Sequence, residues 1–249
     1  YIIPTAAKEM KALGWEQADV ILISGDAYVD HPAFGVAVLA RMLQHYGYKV
    51  AIVPQPNWKD DLRDFKKLGK PRLFFGVSAG NMDSMVNHYT ANRRLRSDDA
   101  YTAGGNAGFR PDYATIVYSN ILKDLFPGTP VIIGGIEASM RRFTHYDYWQ
   151  DKLKKGILAD TNADMLIYGM SEYPLIKVTE ALHKQENISY LTDIPQTQLL
   201  LKELPEEKDI VKLHDHKKCI NSTKAFANNF VMIEQNANSL EAGAIAQQV

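Results

Sequence analysis

The sequence predicts an α/β fold, an open parallel five-stranded sheet with helices on both faces, followed by an irregular extension that ends in a helix. Two observations carry this. Short apolar runs alternate with amphipathic stretches from Val20 to about Gln185, the rhythm of βαβ units. The runs are apolar throughout, as strands covered on both faces require, and right-handed crossovers put the helices on those faces.

Val20-Ile21-Leu22-Ile23 is the first strand, and Val36, Leu39, Ala40 and Leu43 then recur at helical spacing. Gly47 is placed to end that helix in a left-handed conformation. Lys49–Val53 is the second strand, Leu62 and Phe65 mark a short helix ending near Gly69, and Arg72–Gly76 is the third strand. Residues 77–111 lose the rhythm over a length unusual for a βα connection. Such a stretch is functional, disordered, or hides a short helix around Met82–Tyr89. Ala114, Val117, Ile121, Leu122 and Leu125 share one helical face, and Val131-Ile132-Ile133 is the fourth strand. Trp149, Leu153 and Ile157 suggest a helix over Asp147–Leu158. Met165–Tyr168 is the fifth strand, and Ser171-Glu172 opens a helix carrying Leu175, Val178 and Leu182. The expected strand order is 2-1-3-4-5, the flavodoxin-like order. Beyond residue 186, Ile188–Leu191 and Gln198–Leu201 are edge-strand candidates and Glu203–Lys208 a polar turn. From Asn221 one long helix is expected, with Phe226, Phe230, Ile233, Ala237, Leu240 and Ala244 as its stripe. The expected domains are 1–186 and a connecting extension, 187–249.

Composition removes several functions. Lys and Arg total 28 against 29 Asp and Glu among 249 residues, a net charge of −1. That lacks the electrostatic footprint of a nucleic-acid binder and leaves only a local basic patch open. A single cysteine, Cys219, excludes an internal disulfide and any cluster held by several thiolates of this chain. No apolar run is long enough to span a membrane. The chain opens on Tyr1 without a leader-like segment and stops at Val249 inside a helix-like pattern. A piece of a longer, reduced, cytoplasmic protein is expected.

Ligands of open α/β sheets bind beyond the carboxyl ends of the strands. Four loops lie there: one with Ser24, Gly25, Asp26, Tyr28 and His31; one with Ser78, Gly80 and Asn81; one with Gly134, Gly135 and Glu137; and one with Glu172. Small residues admit a ligand to the backbone, and hydroxyls and amides can bond it. The same residues also serve as plain turns and caps. Arg141, Arg142 and His145 lie in an Arg- and aromatic-rich run that suits ligand contact or a protein interface equally. Arg93, Arg94 and Arg96 stand beside Asp98 and Asp99, which are expected to neutralise them on a solvated loop, with a phosphate site as the lesser alternative. His214, His216 and Cys219 have ligand-type side chains at close spacing, but no fourth partner follows in a Lys-rich stretch, so a solvated segment is expected rather than a zinc site.

Gly25-Asp26-Ala27-Tyr28-Val29-Asp30-His31-Pro32, Phe75-Gly76-Val77-Ser78-Ala79-Gly80-Asn81-Met82-Asp83-Ser84-Met85, Ser97-Asp98-Asp99-Ala100-Tyr101, Ile133-Gly134-Gly135-Ile136-Glu137-Ala138-Ser139 and His145-Tyr146-Asp147-Tyr148-Trp149 resemble the YgiQ family of radical S-adenosylmethionine proteins. The resemblance runs from about Lys8 to Gly169 and loosens after Asn187. It implies a following barrel domain whose Cys-x3-Cys-x2-Cys motif holds a [4Fe–4S] cluster that cleaves S-adenosylmethionine to a radical. This chain would be the non-catalytic accessory domain, similar in layout to the cobalamin-binding domains that precede many radical barrels. Its partner would be that barrel, and the substrate stays unspecified. Cobalamin is left open: Asp30-His31-Pro32-Ala33-Phe34-Gly35 has the residue types of the base-off Asp-x-His-x-x-Gly pattern at a different spacing. The alternatives are a stand-alone module for a corrinoid or nucleotide-like ligand, and a purely structural docking domain.

Overall fold

Strand β1 (Val20–Ser24) is buried along its whole length and organises the chain. It pairs in parallel with β2 (Val50–Pro54) on one side and β3 (Phe74–Ser78) on the other. Beyond β3 lie β4 (Val131–Gly134) and then, past the short hairpin β5 (His145–Asp147) and β6 (Lys152–Lys154), β7 (Met165–Ile167). The computed structural model describes residues 2–204, 210–239 and 242–249.

The sheet has six strands, not five. The segment after residue 186 lends β8 (Thr197–Gln198), which pairs antiparallel with β7 and completes the order β2-β1-β3-β4-β7-β8. An added antiparallel strand satisfies β7's outer backbone groups, which an edge would leave open. The fold is mixed α/β with a mostly parallel sheet.

Period-two alternation splits each buried strand between two cores. Ile21, Ile23, Phe75, Val77 and Ile133 face one core, shared with Phe65 of α3 (Arg63–Lys66), Tyr118 and Leu122 of α5 (Ala114–Leu125) and Ile157 of α7 (Ile157–Asp160). Met10 of the N-terminal α1 (Ala7–Ala12) joins that side. Val20, Leu22, Phe74, Ile132 and Ile167 face the other, shared with Ala40 and Leu43 of α2 (Gly35–His45) and Leu175 and Val178 of α8 (Glu172–His183). Gly47, at φ 86°, takes the left-handed turn after α2.

Three expectations fail for local reasons. Over Asp147–Leu158 the chain forms the β5–β6 hairpin and then α7. Asp147 accepts hydrogen bonds from the Gln150 amide (2.9 Å) and the Tyr113 hydroxyl (2.8 Å), closing a turn where a helix was expected. Ile188–Tyr190 is a 3-10 turn opened by the Asn187 side chain, and Gln198 alone of its expected strand lies in β8. The helix expected from Asn221 forms as α10 (Thr223–Ala237), capped by the Ser222 hydroxyl, which accepts from the Ala225 amide, but it ends at Ala237, and a separate short helix, α9 (His216–Asn221), precedes it. Ala244 lies beyond α10, before β10 (Ile245–Ala246), which pairs with β9 (Val211–Lys212). Leu240 and residues 205–208 of the expected polar turn lie outside the described residues. Among the described residues no helix is long and apolar enough to cross a membrane.

The irregular segment after β3 is held by buried charge. It contains α4 (Ser84–His88), capped by Asp83, whose carboxylate accepts from the amides of Met85 and Val86. Arg110 is 2% exposed and lies between Asp26 (2.9 Å) and Asp99 (3.0 Å), while donating 2.6 Å to the carbonyl of Ala79. One guanidinium thus joins the loop after β1, the loop after β3 and the irregular segment. Burial holds the Asp26 carboxyl above the usual carboxylate range despite Arg110. Burial pushes Asp99 the same way, but bonds from the Tyr101 amide and Arg110 outweigh it and hold Asp99 below that range.

Replacing Arg110 leaves two buried carboxylates without a counter-charge. Arg110→Met is expected to cost about 3–5 kcal/mol in urea unfolding. Both carboxyls in that variant titrate above their unfolded values, so the loss is largest at neutral and higher pH and shrinks as pH falls toward about 4. A loss that is independent of pH would contradict this assignment. Glu137, 1% exposed, accepts from the amides of Ser84 (2.8 Å) and Thr115 (2.9 Å). Glu137→Ala orphans both amides and is expected to cost about 2 kcal/mol or more in the same measurement.

Candidate functional site

In the parallel register, Leu22 of β1, Gly76 of β3 and Ile132 of β4 form a row across one sheet face. The missing side chain of Gly76 leaves a depression between two branched neighbours; a Cβ there would lie 2.7 Å from Leu22 Cδ2. Two residues onward on the same face, Ser24, Ser78 and Gly134 form a second row of small and polar residues at the strand ends. A cavity of about 370 Å³ opens over both rows. Its walls are Val36 and Leu39 from α2 and Leu175 from α8, and its mouth is rimmed by Gly80, Asn81, Gly135 and Glu172. It spans β1 and β3, between which the strand order reverses, the place where open α/β sheets take their ligands.

The rim is fixed by short-range geometry. The Ser24 hydroxyl accepts from the Asp26 amide (3.1 Å), and the Ser78 hydroxyl from the Gly80 amide (3.1 Å). Asn81 joins two loops: its amide donates to Asp26 (2.7 Å) and its side-chain nitrogen to the Ala33 carbonyl (3.1 Å). Gly80, at φ 111°, must be glycine, since a Cβ would fall 2.0 Å from Asp26 Oδ1. Gly25 packs as closely on the Ala79 carbonyl. Helices α2 and α8 begin at the mouth, and neither has a side-chain cap, so their first-turn amides carry the positive end of the helix dipole toward it.

The sequence-derived candidates divide. Ser24, Asp26, Ser78, Gly80, Asn81, Gly134, Gly135 and Glu172 line the cavity. Gly25, Tyr28, His31, Glu137, Arg141, Arg142 and His145 do not. Tyr28 packs on the α2-side core. His31 is exposed, and its Nδ1 faces the Ala33 amide (3.1 Å). Glu137 staples α4 to α5, and Arg141 forms a buried ion pair with Asp83. Arg142 donates to the Ser139 carbonyl (2.8 Å) and lies over the Tyr168 ring. His145 turns its Nδ1 to the Phe143 carbonyl (3.0 Å), and burial lowers its pKa. Glu137, Arg141 and Arg142 thus spend their polar groups on the fold, whereas His31 is exposed and the buried Nε2 of His145 has no hydrogen-bond partner among the described residues. Sequence reading missed the floor and walls, Gly76, Ile132, Val36, Leu39 and Leu175, because apolar residues in buried elements carry no mark that separates lining from core.

His214, His216 and Cys219 do not converge on a common centre. His214 Nε2 meets Asn228 (3.2 Å), His216 Nδ1 meets the Thr144 hydroxyl (3.0 Å), and Cys219 Sγ accepts from Asn229 (3.2 Å). Cys219 is buried, not solvated, and burial raises its thiol pKa. Among the described residues no three His, Cys, Asp or Glu side chains are grouped to hold a metal ion.

The family model described as radical SAM N-terminal matches residues 2–249. A UPF0313 protein of Porphyromonas gingivalis is 59% identical over 251 residues, 99% of this chain and 39% of that protein. The UPF0313 protein YgiQ of Escherichia coli K12 is 53% identical over 201 residues, 81% of this chain and 27% of that one. The chain therefore spans well under half the length of these relatives. Among solved structures, the radical S-adenosylmethionine methyltransferase TsrM of Kitasatospora setae aligns with a TM-score of 0.48 at 17% identity, covering 74% of this chain and 28% of TsrM. By the family match and these identities, the chain belongs to the radical SAM N-terminal family, alongside the UPF0313 proteins that include YgiQ.

Proposed function

We propose that this chain is the accessory domain of a radical S-adenosylmethionine enzyme and that its cavity holds a corrinoid or nucleotide-like molecule for the domain that follows. The observation that carries the ligand reading is the pair of rows Leu22–Gly76–Ile132 and Ser24–Ser78–Gly134, an apolar slot with a small, polar mouth. Such a slot accepts a flat or elongated apolar body. The uncapped first turn of α2, which carries no acid, suits an anionic group at the mouth, and the Glu172 carboxylate at the start of α8 accepts from a ligand hydroxyl. His31 lies outside the lining, so the chain presents no built lower ligand for cobalt, and a corrinoid would be gripped through its periphery.

The cluster of such an enzyme does not fit this chain. Three thiolates are required, and the chain's one cysteine, Cys219, is buried against Asn229. No catalytic step is assigned to these residues. In this reading residues 1–186 form the ligand-holding domain and 187–249 the connector, which also lends β8 to the sheet.

Two measurements test the two halves separately. The anaerobically reconstituted full-length protein is expected to bind iron and to release 5′-deoxyadenosine from S-adenosylmethionine; failure of both overturns the enzyme reading. Calorimetric titration of the same protein with hydroxocobalamin, adenosylcobalamin and cyanocobalamin, and with adenosine nucleotides, tests the slot. One of these is expected to bind, and Gly76→Val, which fills the depression and pushes on the Leu22 Cδ2 methyl, is expected to weaken it by on the order of tenfold. Flat titrations with every compound, or binding indifferent to Gly76→Val, remove the ligand-holding role.

A further inference from the structure

Residues 91–98 are exposed without exception and form a tongue on the hairpin closed by the Tyr89–Leu95 bridge. The tongue holds Arg93, Arg94 and Arg96 against a single acid, Asp98, because Asp99 is drawn inward to Arg110. The neutralisation expected from sequence therefore does not occur: among the described residues, none of the three arginines forms an ion pair.

The β5–β6 hairpin supplies the second half of the surface. Tyr146 and Tyr148, two residues apart, are 49% and 42% exposed. The Tyr148 hydroxyl donates to the Ala91 carbonyl (2.6 Å), tying the hairpin to the tongue. Arg93 lies with Cζ 4.6 Å from the Tyr148 ring centroid. Its backbone is in the left-handed region, φ 58°, a conformation that costs a non-glycine residue free energy and that the tongue nevertheless retains. A guanidinium stacked on a ring keeps its N–H donors in plane and pointing outward, ready for a bidentate oxyanion. Leu95 adds an apolar contact, 71% exposed. Asp98 and Asp151 are the acids at this surface, and they are engaged by the Ser97 and Tyr146 hydroxyls.

We infer that this tongue and hairpin bind single-stranded nucleic acid, the arginines taking phosphates and the Tyr146 ring taking a base, while Tyr148 carries Arg93. Unpaired arginines alone would serve an acidic peptide as well; the exposed rings beside them favour nucleic acid, since bases stack on aromatic faces and carboxylates do not. The inference is independent of the cavity and of its ligand.

Fluorescence anisotropy of a labelled short oligouridylate with the full-length protein tests it, with labelled polyglutamate of equal length as the competitor class. The oligouridylate is expected to bind, and to bind more weakly as salt rises. Arg93→Ala/Arg94→Ala/Arg96→Ala is expected to flatten the slope of log affinity against log salt by about 2, three single-strand phosphate contacts at roughly 0.7 each. Tyr146→Ala is expected to weaken binding by about fivefold or more while leaving that slope unchanged. These side chains are on the surface, and circular dichroism of each variant should match the parent. No oligouridylate binding, equal or tighter polyglutamate binding, or an unchanged slope in the triple variant would overturn the inference.

Discussion

Arg110 is the constraint on which the cavity's rim loops depend. Its guanidinium has no access to water, so its charge has to be matched inside the protein, and it is matched by Asp26 and Asp99 with the Ala79 carbonyl as a further acceptor. Asp26 also takes the amide of Asn81, so the loops after β1 and β3 cannot move independently. The fit leaves no room for a methyl group at Gly80 or at Gly25. The loops that carry Asp26 and Asn81 are held together as a consequence.

The parallel sheet was legible because its strands are buried on both faces and so read as unbroken apolar runs, Val20–Ile23 and Val131–Ile133 most plainly. Helices α2, α5 and α8 were legible for the complementary reason: each covers a sheet face and carries one apolar stripe. The β5–β6 hairpin was not. Trp149, Leu153 and Ile157 recur every four residues, which is a helical signal, but the Asp147 carboxylate and the Tyr113 hydroxyl fix a turn across that spacing. A bond between residues so far apart in the chain leaves no local trace.

The candidate site shows the same division from the side of chemistry. Of the glycines and serines at strand ends, Ser24, Ser78, Gly80, Gly134 and Gly135 line the cavity, while Gly25 packs on the Ala79 carbonyl instead. The charged candidates split: Asp26 and Glu172 line the cavity, and Glu137, Arg141 and Arg142 do not. Glu137 and Arg141 have the chemistry of ligand contacts, and the fold uses that same chemistry on backbone amides and on Asp83. Nothing in sequence separates a carboxylate that accepts from Thr115 from one that would accept from a ligand. Arg110 was passed over for the opposite reason: it sits in an aperiodic stretch, and its partners lie in other segments of the chain.

What remains at the cavity follows from this consumption. Asp26 lines it, yet its charge is met by Arg110 and one of its two oxygens by the Asn81 amide, so its place is fixed by the fold. Ser24 and Ser78 spend their hydroxyls on the turns that carry them. Glu172 is the carboxylate at the mouth without an ion pair among the described residues. In the proposed reading, a slot with an apolar floor, backbone donors at its mouth and, Glu172 apart, its acid–base groups already engaged would hold a molecule in a fixed pose. Reactive chemistry on such a molecule would then have to be supplied from outside these residues, which is what an accessory domain leaves to its neighbour.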